Sequence, residues 1–389
     1  VTEQTDKISR APSPAALAVA AVRNLSPYVT GKPMSELSRE LGLTDIVKLA
    51  SNENPLGPSP LAMVAMQQAL HDSWLYPDGN GHELKVAIAA RHGVGINQIT
   101  LGNGSNDLLV LLAEAFLTPQ VNAVISQYAF AIYALVVQAT GAAAKVVAAY
   151  PEDSAMPHGH DLDAMCAAVD ADTRLVYIAN PNNPTGSWCT EAAIRRFLDA
   201  VPRTTLVVLD EAYFEYARRF GCPDGVTLVA QYPNLIVLRT FSKAHALAGL
   251  RVGYGISHPD VADILNRVRQ PFNVSLPALA GAEAALGDAG QAGRAVALVE
   301  QGMALLKEKL PPLGVKLYPS AGNFLLADVS VGGLSGQQVF DRLLRHGVIV
   351  RPVGGYGLPH CVRITIGTAE QNQRLVDALR QCLTQPGLI

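Results

Sequence analysis

The chain has 389 residues, 49% of them apolar and 16% charged, with a formal net charge of −3 at pH 7. That length suits one large domain plus a smaller companion, and the lack of any long Lys/Arg run excludes the electrostatic footprint of a nucleic-acid binder, so a small-molecule partner is expected. The five cysteines, Cys166, Cys189, Cys222, Cys361 and Cys382, contain no C-x-x-C pair and leave one unmatched, which argues against a disulfide framework and fits a reducing cytoplasm.

Residues up to about Ser26 read as a loose arm containing Pro and Ala, lying on another surface; its apolar stretch 15–22 is too short to span a membrane. Neither a signal peptide nor a transmembrane helix is expected. After a polar loop and the short apolar run 46–50, strand-like runs alternate with helical patterns to about Asn273, at 122–126, 144–148, 174–179, 205–210, 235–239 and 252–256. Such alternation predicts crossover connections and a largely parallel sheet with helices on both faces. The unbroken apolar run Leu206-Val207-Val208-Leu209 fits a strand buried on both sides. Ser275 reads as the N-cap of one long Ala/Leu/Glu/Lys-rich helical stretch to about Leu310, stopped by Pro311-Pro312, that would connect two domains. The remainder, with strand-like runs at 323–329, 348–350 and 362–366 and helices near 337–345 and 370–383, reads as a small α+β domain. The expected organisation is therefore an arm and part of the small domain over 1–48, a large domain over 49–275, and an interdomain helix with a small C-terminal domain over 276–389.

Chemistry concentrates where strands end. Thr240-Phe241-Ser242-Lys243-Ala244-His245 follows one strand and precedes Gly249-Leu250-Arg251. The Ser242 hydroxyl and the Arg251 guanidinium suit a dianionic phosphate, beside a Lys243 amine able to attack an aldehyde once burial and nearby cations depress its pKa. Asp210 ends another strand, and ligands of open parallel sheets sit beyond such carboxyl ends, so Asp210 and Lys243 can share one crevice. A buried carboxylate there keeps a pyridine nitrogen protonated, and the resulting electron sink stabilises a substrate carbanion. Tyr213 and the Asn183 amide, in the turn Asn180-Pro181-Asn182-Asn183-Pro184-Thr185-Gly186, are then placed to meet a phenolate oxygen on such a ring. Gly102-Asn103-Gly104-Ser105-Asn106 feeds the N-terminus of an apolar helix, where free N–H groups and the helix dipole favour phosphate. The third glycine of a dinucleotide fingerprint and the Gly-Lys-Ser/Thr of a P-loop are both missing. His158 and His160 read as solvated residues of a Pro/Gly loop and His245 as a packing residue, with no metal site expected.

Together, Asn182-Asn183-Pro184-Thr185-Gly186, Asp210-Glu211-Ala212-Tyr213, Ser242-Lys243-Ala244 and Gly249-Leu250-Arg251 resemble the signature of class I/II aminotransferases. The segments 23–28, 49–55, 76–79 and 363–367 further resemble the histidinol-phosphate aminotransferases. The resemblance runs from about Val22 to the C-terminus. It implies an α/β fold of the fold type I class, with a mostly parallel seven-stranded sheet in the large domain, and pyridoxal 5′-phosphate bound through Lys243. It implies a homodimer in which Tyr76 reaches the partner's cofactor phosphate. Phe130 would stack on the pyridine ring, and Ser105, Asn106, Thr240, Ser242 and Arg251 would surround the phosphate. Tyr28, Asn183, Arg351 and Arg363 would meet the substrate. The implied reaction moves the amino group of histidinol phosphate to 2-oxoglutarate, with Lys243 carrying the Cα proton. The segment 351–357 leaves an aromatic amino acid open as the donor, since it could use the same arginine and put its ring where imidazole goes. A decarboxylase acting on a phosphorylated amino acid is a further alternative, separated by release of carbon dioxide.

Overall fold

A computed structural model describes residues 13–384. Its strands are β1 (Val47–Lys48), β2 (Ile99–Gly102), β3 (Asn122–Ser126), β4 (Ala143–Val147), β5 (Thr173–Ala179), β6 (Leu206–Asp210) and β7 (Leu235–Thr240), followed by β8 (Gly253–Ile256), β9 (Lys316–Leu317), β10 (Phe324–Asp328), β11 (Val348–Ile349), β12 (Arg351–Pro352) and β13 (Cys361–Thr365). The large sheet has seven strands in the order β2-β8-β7-β6-β5-β3-β4, and the neighbours from β7 to β4 are parallel. It is the mostly parallel seven-stranded sheet expected.

Two features of this sheet departed from the expected alternation. The run at 252–256 forms β8, which lies antiparallel to both β7 and β2, because the segment between β7 and β8 contains no crossover helix to reverse the chain. As a result the start of β8 stands at the same edge as the carboxyl ends of β7 and β2: Gly253 pairs with Thr240 and with Gly102. The strand β2 was not anticipated, being four residues long and running straight into the glycine loop.

Side chains of the central strands alternate between two cores. Val207 and Leu209 join Val176, Ile178, Leu84 and Ile88 on one face, whereas Val208 joins Tyr177, Leu238, Leu112 and Tyr133 on the other. This period of two explains why the whole β6 run is apolar. A third core, built on β10, β13 and three helices, Gln291–Lys309, Gly336–Arg345 and Ala369–Thr384, takes in Val47 and Leu49 from the N-terminal side. There β1 pairs in parallel with β11, and β12, β13, β10 and β9 make an antiparallel sheet.

The long connecting helix is interrupted. Two helices, Leu276–Gly287 and Gln291–Lys309, replace it, because the Asp288 carboxylate accepts from the N–H groups of Gly290 and Gln291 at 3.0 and 3.1 Å and starts a new helix. Ser275 occupies the N-cap position of the first, without a side-chain capping bond. The described part of the arm forms the short helix Ala20–Arg23 against this chain's own helix Ala131–Ala139, with the Gln138 amide donating to the Ala21 carbonyl. The expectation for residues 1–12 lies outside the described residues. No helix among the described residues is long and apolar enough to cross a membrane.

Candidate active site

The carboxyl edge of the sheet opens into a cavity of about 330 Å³ that meets the third core on its far side. Lys243, just beyond β7, extends into it, and its amine donates to the Ser51 carbonyl at 3.2 Å. Burial, then the cationic Arg363 and Arg251, bring its pKa down to about 8. A lysine in this state carries free base at mildly alkaline pH, as a nucleophile and proton carrier requires.

Asp210 ends β6 in the same wall. One carboxylate oxygen accepts from the Tyr133 hydroxyl at 2.8 Å and the other from the Ala212 N–H at 3.1 Å. Burial pushes its pKa up, and these two donors and Lys243 oppose that. Tyr213 is buried, with its ring centroid 5.7 Å from the Lys243 nitrogen. Its hydroxyl accepts from the Asn52 amide at 2.9 Å, and burial raises its pKa to about 12.

At one end of the cavity the helix Ser105–Phe116 begins after Gly104 and points its N-terminus inward. Ser105, Asn106, Thr240, Ser242 and Arg251 line this end. The Arg251 guanidinium donates to the Ser242 hydroxyl at 3.3 Å and to the Ala248 carbonyl at 3.0 Å. Gly104 has φ +83°, and a Cβ there would lie 2.5 Å from an Arg251 nitrogen, so glycine is what lets the arginine close over the helix start. Three hydroxyls, a guanidinium and a helix N-terminus form an anion cradle.

The opposite end is also cationic. Arg363, on β13, is buried and donates to the Asn183 side-chain carbonyl and to the Ala50 backbone, while its Nε has no protein partner. That contact occupies the Asn183 oxygen and leaves its NH2 as the group available to a ligand. Arg351, on β12, is half-buried, donates to the Val29 carbonyl and sits 5.8 Å from the Tyr28 ring centroid. Phe130 closes a side wall, edge-on to Tyr28 at 6.3 Å.

All the predicted site residues but one therefore meet in this cavity. Tyr76 does not: it is 82% exposed and stacks on Phe272 at 4.7 Å, outside its own chain's cavity. His158 and His160 correct the sequence reading, for both are buried. His158 packs between the Tyr128 and Tyr318 rings, and His160 contacts the Ala179 carbonyl at 3.0 Å with its pKa lowered by burial to about 4. The aromatic and carbonyl surroundings explain why residues of a Pro/Gly loop are not solvated. His245 packs against Phe241. No group of three or more His, Cys, Asp or Glu side chains able to hold a metal occurs among the described residues.

Two contributors went unrecognised. Asn52 adopts a left-handed backbone (φ 55°), fixed by bonds with Thr365 and Asn323 while its amide holds Tyr213; a non-glycine residue in that region signals constraint, but only the structure reveals it. Tyr133 lies three residues after Phe130, a spacing that any helix core face also shows.

Pyridoxal 5′-phosphate fits this donor set. The cradle takes a phosphate, the buried Asp210 suits a protonated ring nitrogen, the Lys243 amine suits the aldehyde carbon, and the unpartnered Arg363 Nε remains for an anionic substrate group.

Residues 44–379 match the family of class I and II aminotransferases. The chain is 55% identical to a histidinol-phosphate aminotransferase 2 of Pseudomonas fluorescens (strain Pf0-1), over 95% of this chain and 98% of the relative. Its identity to a histidinol-phosphate aminotransferase 1 of Nitrosococcus oceani is 50%, over 95% and 97%. Among solved structures it is similar to the Sinorhizobium meliloti histidinol-phosphate aminotransferase in complex with pyridoxal 5′-phosphate, with TM-score 0.85 and 31% identity over 95% of this chain and 98% of that one. On a match of this extent, the protein belongs to the class I and II aminotransferases.

Proposed function

We propose that the protein is a pyridoxal 5′-phosphate dependent aminotransferase that moves the amino group of L-histidinol phosphate to 2-oxoglutarate, yielding imidazole acetol phosphate and glutamate in histidine biosynthesis. The observation that carries this reading is a lysine amine of depressed pKa between two cationic ends, one suited to the cofactor phosphate and one to an anionic substrate group. The relatives at 50–55% identity support the choice of donor.

When bound, the cofactor supplies an electrophilic carbon for the amine and a ring that spreads the charge left when Cα loses its proton. Ser105, Asn106, Thr240, Ser242 and Arg251 would hold its phosphate, and Asp210 would hold the proton on its ring nitrogen. Tyr213 and the Asn183 NH2 would serve its phenolate oxygen, and Phe130 would supply an aromatic face for the ring. Lys243 Nζ would be the group that binds the cofactor, and its free amine would carry the proton from the substrate Cα. Arg363, with Arg351 and Tyr28, binds the phosphate of histidinol phosphate and, in the second half-reaction, the α-carboxylate of 2-oxoglutarate. A buried, fixed arginine fork serves both anions without reorganising.

A homodimer belongs to the same reading. Tyr76 is 82% exposed beside exposed Trp74, Leu75, Leu70 and Phe272, with Leu61 and Val64 of the helix Pro60–Ala69 also uncovered. An apolar surface of this kind suits a two-fold partner, and Tyr76 would then complete the partner's phosphate site. A cytoplasmic location fits the five free cysteines.

The test is steady-state amino transfer from histidinol phosphate to 2-oxoglutarate, following glutamate, with phenylalanine and tyrosine as competing donors. Preference for histidinol phosphate in kcat/KM supports the reading. Preference for an aromatic donor, or release of carbon dioxide instead of glutamate, overturns it.

A further inference from the structure

Tyr133 is fully buried on the helix Ala131–Ala139, and its hydroxyl donates to Asp210 Oδ2 at 2.8 Å. Its ring stacks on Tyr177 of β5 at 4.9 Å and 12°, and meets Phe130 edge-on at 5.9 Å. The two stacked tyrosines differ in one respect: the Tyr177 hydroxyl is equally buried but has no partner. A structural stack needs neither hydroxyl, so the bond to Asp210 calls for its own explanation.

The structure assigns Tyr133 as a positioning residue for Asp210: its hydroxyl keeps the carboxylate ionised and fixes its rotation in the cavity wall, so that the group can hold the ring-nitrogen proton of pyridoxal 5′-phosphate. This rests on the proposed role of Asp210. A carboxylate left with one backbone donor in a buried site takes up a proton more easily, and a neutral acid no longer stabilises a pyridinium. Burial and the adjacent carboxylate hold the Tyr133 pKa well above its usual value, so the hydroxyl remains a donor throughout the working range. The other ionisable groups acting with Asp210 are Lys243, which favours the carboxylate, and Tyr213 beyond β6, while Tyr177 on β5 meets Tyr133. His160, which contacts Ala179 opposite Asp210 in the sheet, is uncharged near neutrality. None of these replaces the lost donor.

The test measures cofactor affinity of the intact chain against pH by calorimetric titration with pyridoxal 5′-phosphate, so that the cofactor's own ionisations cancel between variants. Tyr133→Phe keeps the ring, the stack and the volume. It should weaken binding about three- to tenfold near neutrality, the scale of one net hydrogen bond, and move the acid limb of the profile upward by roughly half to one pH unit. Tyr177→Phe removes a buried hydroxyl from the same stack and should superimpose on wild type. Asp210→Asn should abolish the limb, and adding Tyr133→Phe to it should change nothing more. A Tyr133→Phe profile matching wild type, an equal shift in Tyr177→Phe, or a Tyr133 effect that persists in the Asp210→Asn background overturns the inference. If Asp210→Asn alone binds like wild type, the role of Asp210 fails and the inference falls with it.

Discussion

The two arginines at the substrate end are expected to divide their labour unequally, because their surroundings differ. Arg363 is buried, anchored by Asn183 and Ala50, and keeps one unpartnered N–H. Removing one member of a buried, charge-assisted contact costs about 2–5 kcal/mol, so Arg363→Ala should lower kcat/KM by about thirtyfold to a few thousandfold for every anionic substrate. Arg363→Lys keeps the charge but loses the fork, and should fall between. Arg351 is half-buried and bonded to the Val29 backbone over the Tyr28 ring, so water competes with it. A phosphate offers a second charge and a third oxygen that a carboxylate lacks, and a charge-assisted bond of about 1.5 kcal/mol amounts to roughly tenfold. Arg351→Ala should therefore cost histidinol phosphate about tenfold, and 2-oxoglutarate about twofold or less. The assay is half-reaction kinetics, with each substrate added separately to the matching form of the enzyme. Equal losses for the two substrates in Arg351→Ala, or a mild effect of Arg363→Ala, would refute the division.

Gly104→Ala should weaken cofactor affinity more than tenfold on equilibrium titration, since the new methyl would meet Arg251 at 2.5 Å from a backbone with φ +83°; unchanged affinity would remove Arg251 from the cradle. The low Lys243 pKa has a stability consequence in the cofactor-free protein. An unfolded lysine binds its proton up to about pH 10.4, the folded one only up to about 8, so the unfolded state binds more protons between those values and stability gains from rising pH there. Relative to Lys243→Met, wild type should be least stable below pH 8 and recover toward pH 10.5 in thermal melts, and a constant difference would contradict the burial argument. If Tyr76 completes the partner's site in the proposed homodimer, mixing inactive Lys243→Ala and Tyr76→Ala subunits should restore activity, because a mixed dimer would have one site with both groups intact; no recovery despite proven exchange would refute that placement.

The sequence made legible what depends on strand periodicity and on rare combinations of residue types. The apolar run of β6 announced a doubly buried strand ending at Asp210, and Lys243 with Ser242 and Arg251 announced a lysine beside an anion cradle. The direction of β8 and the strand β2 were hidden because a four-residue strand has too few alternations to count and strand direction leaves no mark on side-chain pattern. Asp288 ended a helix that composition alone would have continued, through a side-chain bond to the next helix start. The supporting residues, Asn52 behind Tyr213 and Tyr133 behind Asp210, come from positions 161 and 77 residues away in sequence. Such pairings depend on the fold and carry no local signature.

The most direct test of the whole account is to reduce the protein–cofactor complex with borohydride, digest it and locate the adduct by mass spectrometry. The account predicts loss of the visible absorption band, a pyridoxyl phosphate adduct on Lys243 alone, and a Lys243→Ala variant that binds cofactor without forming the adduct or turning over. An adduct on another lysine, or near-normal transamination by Lys243→Ala, would contradict it.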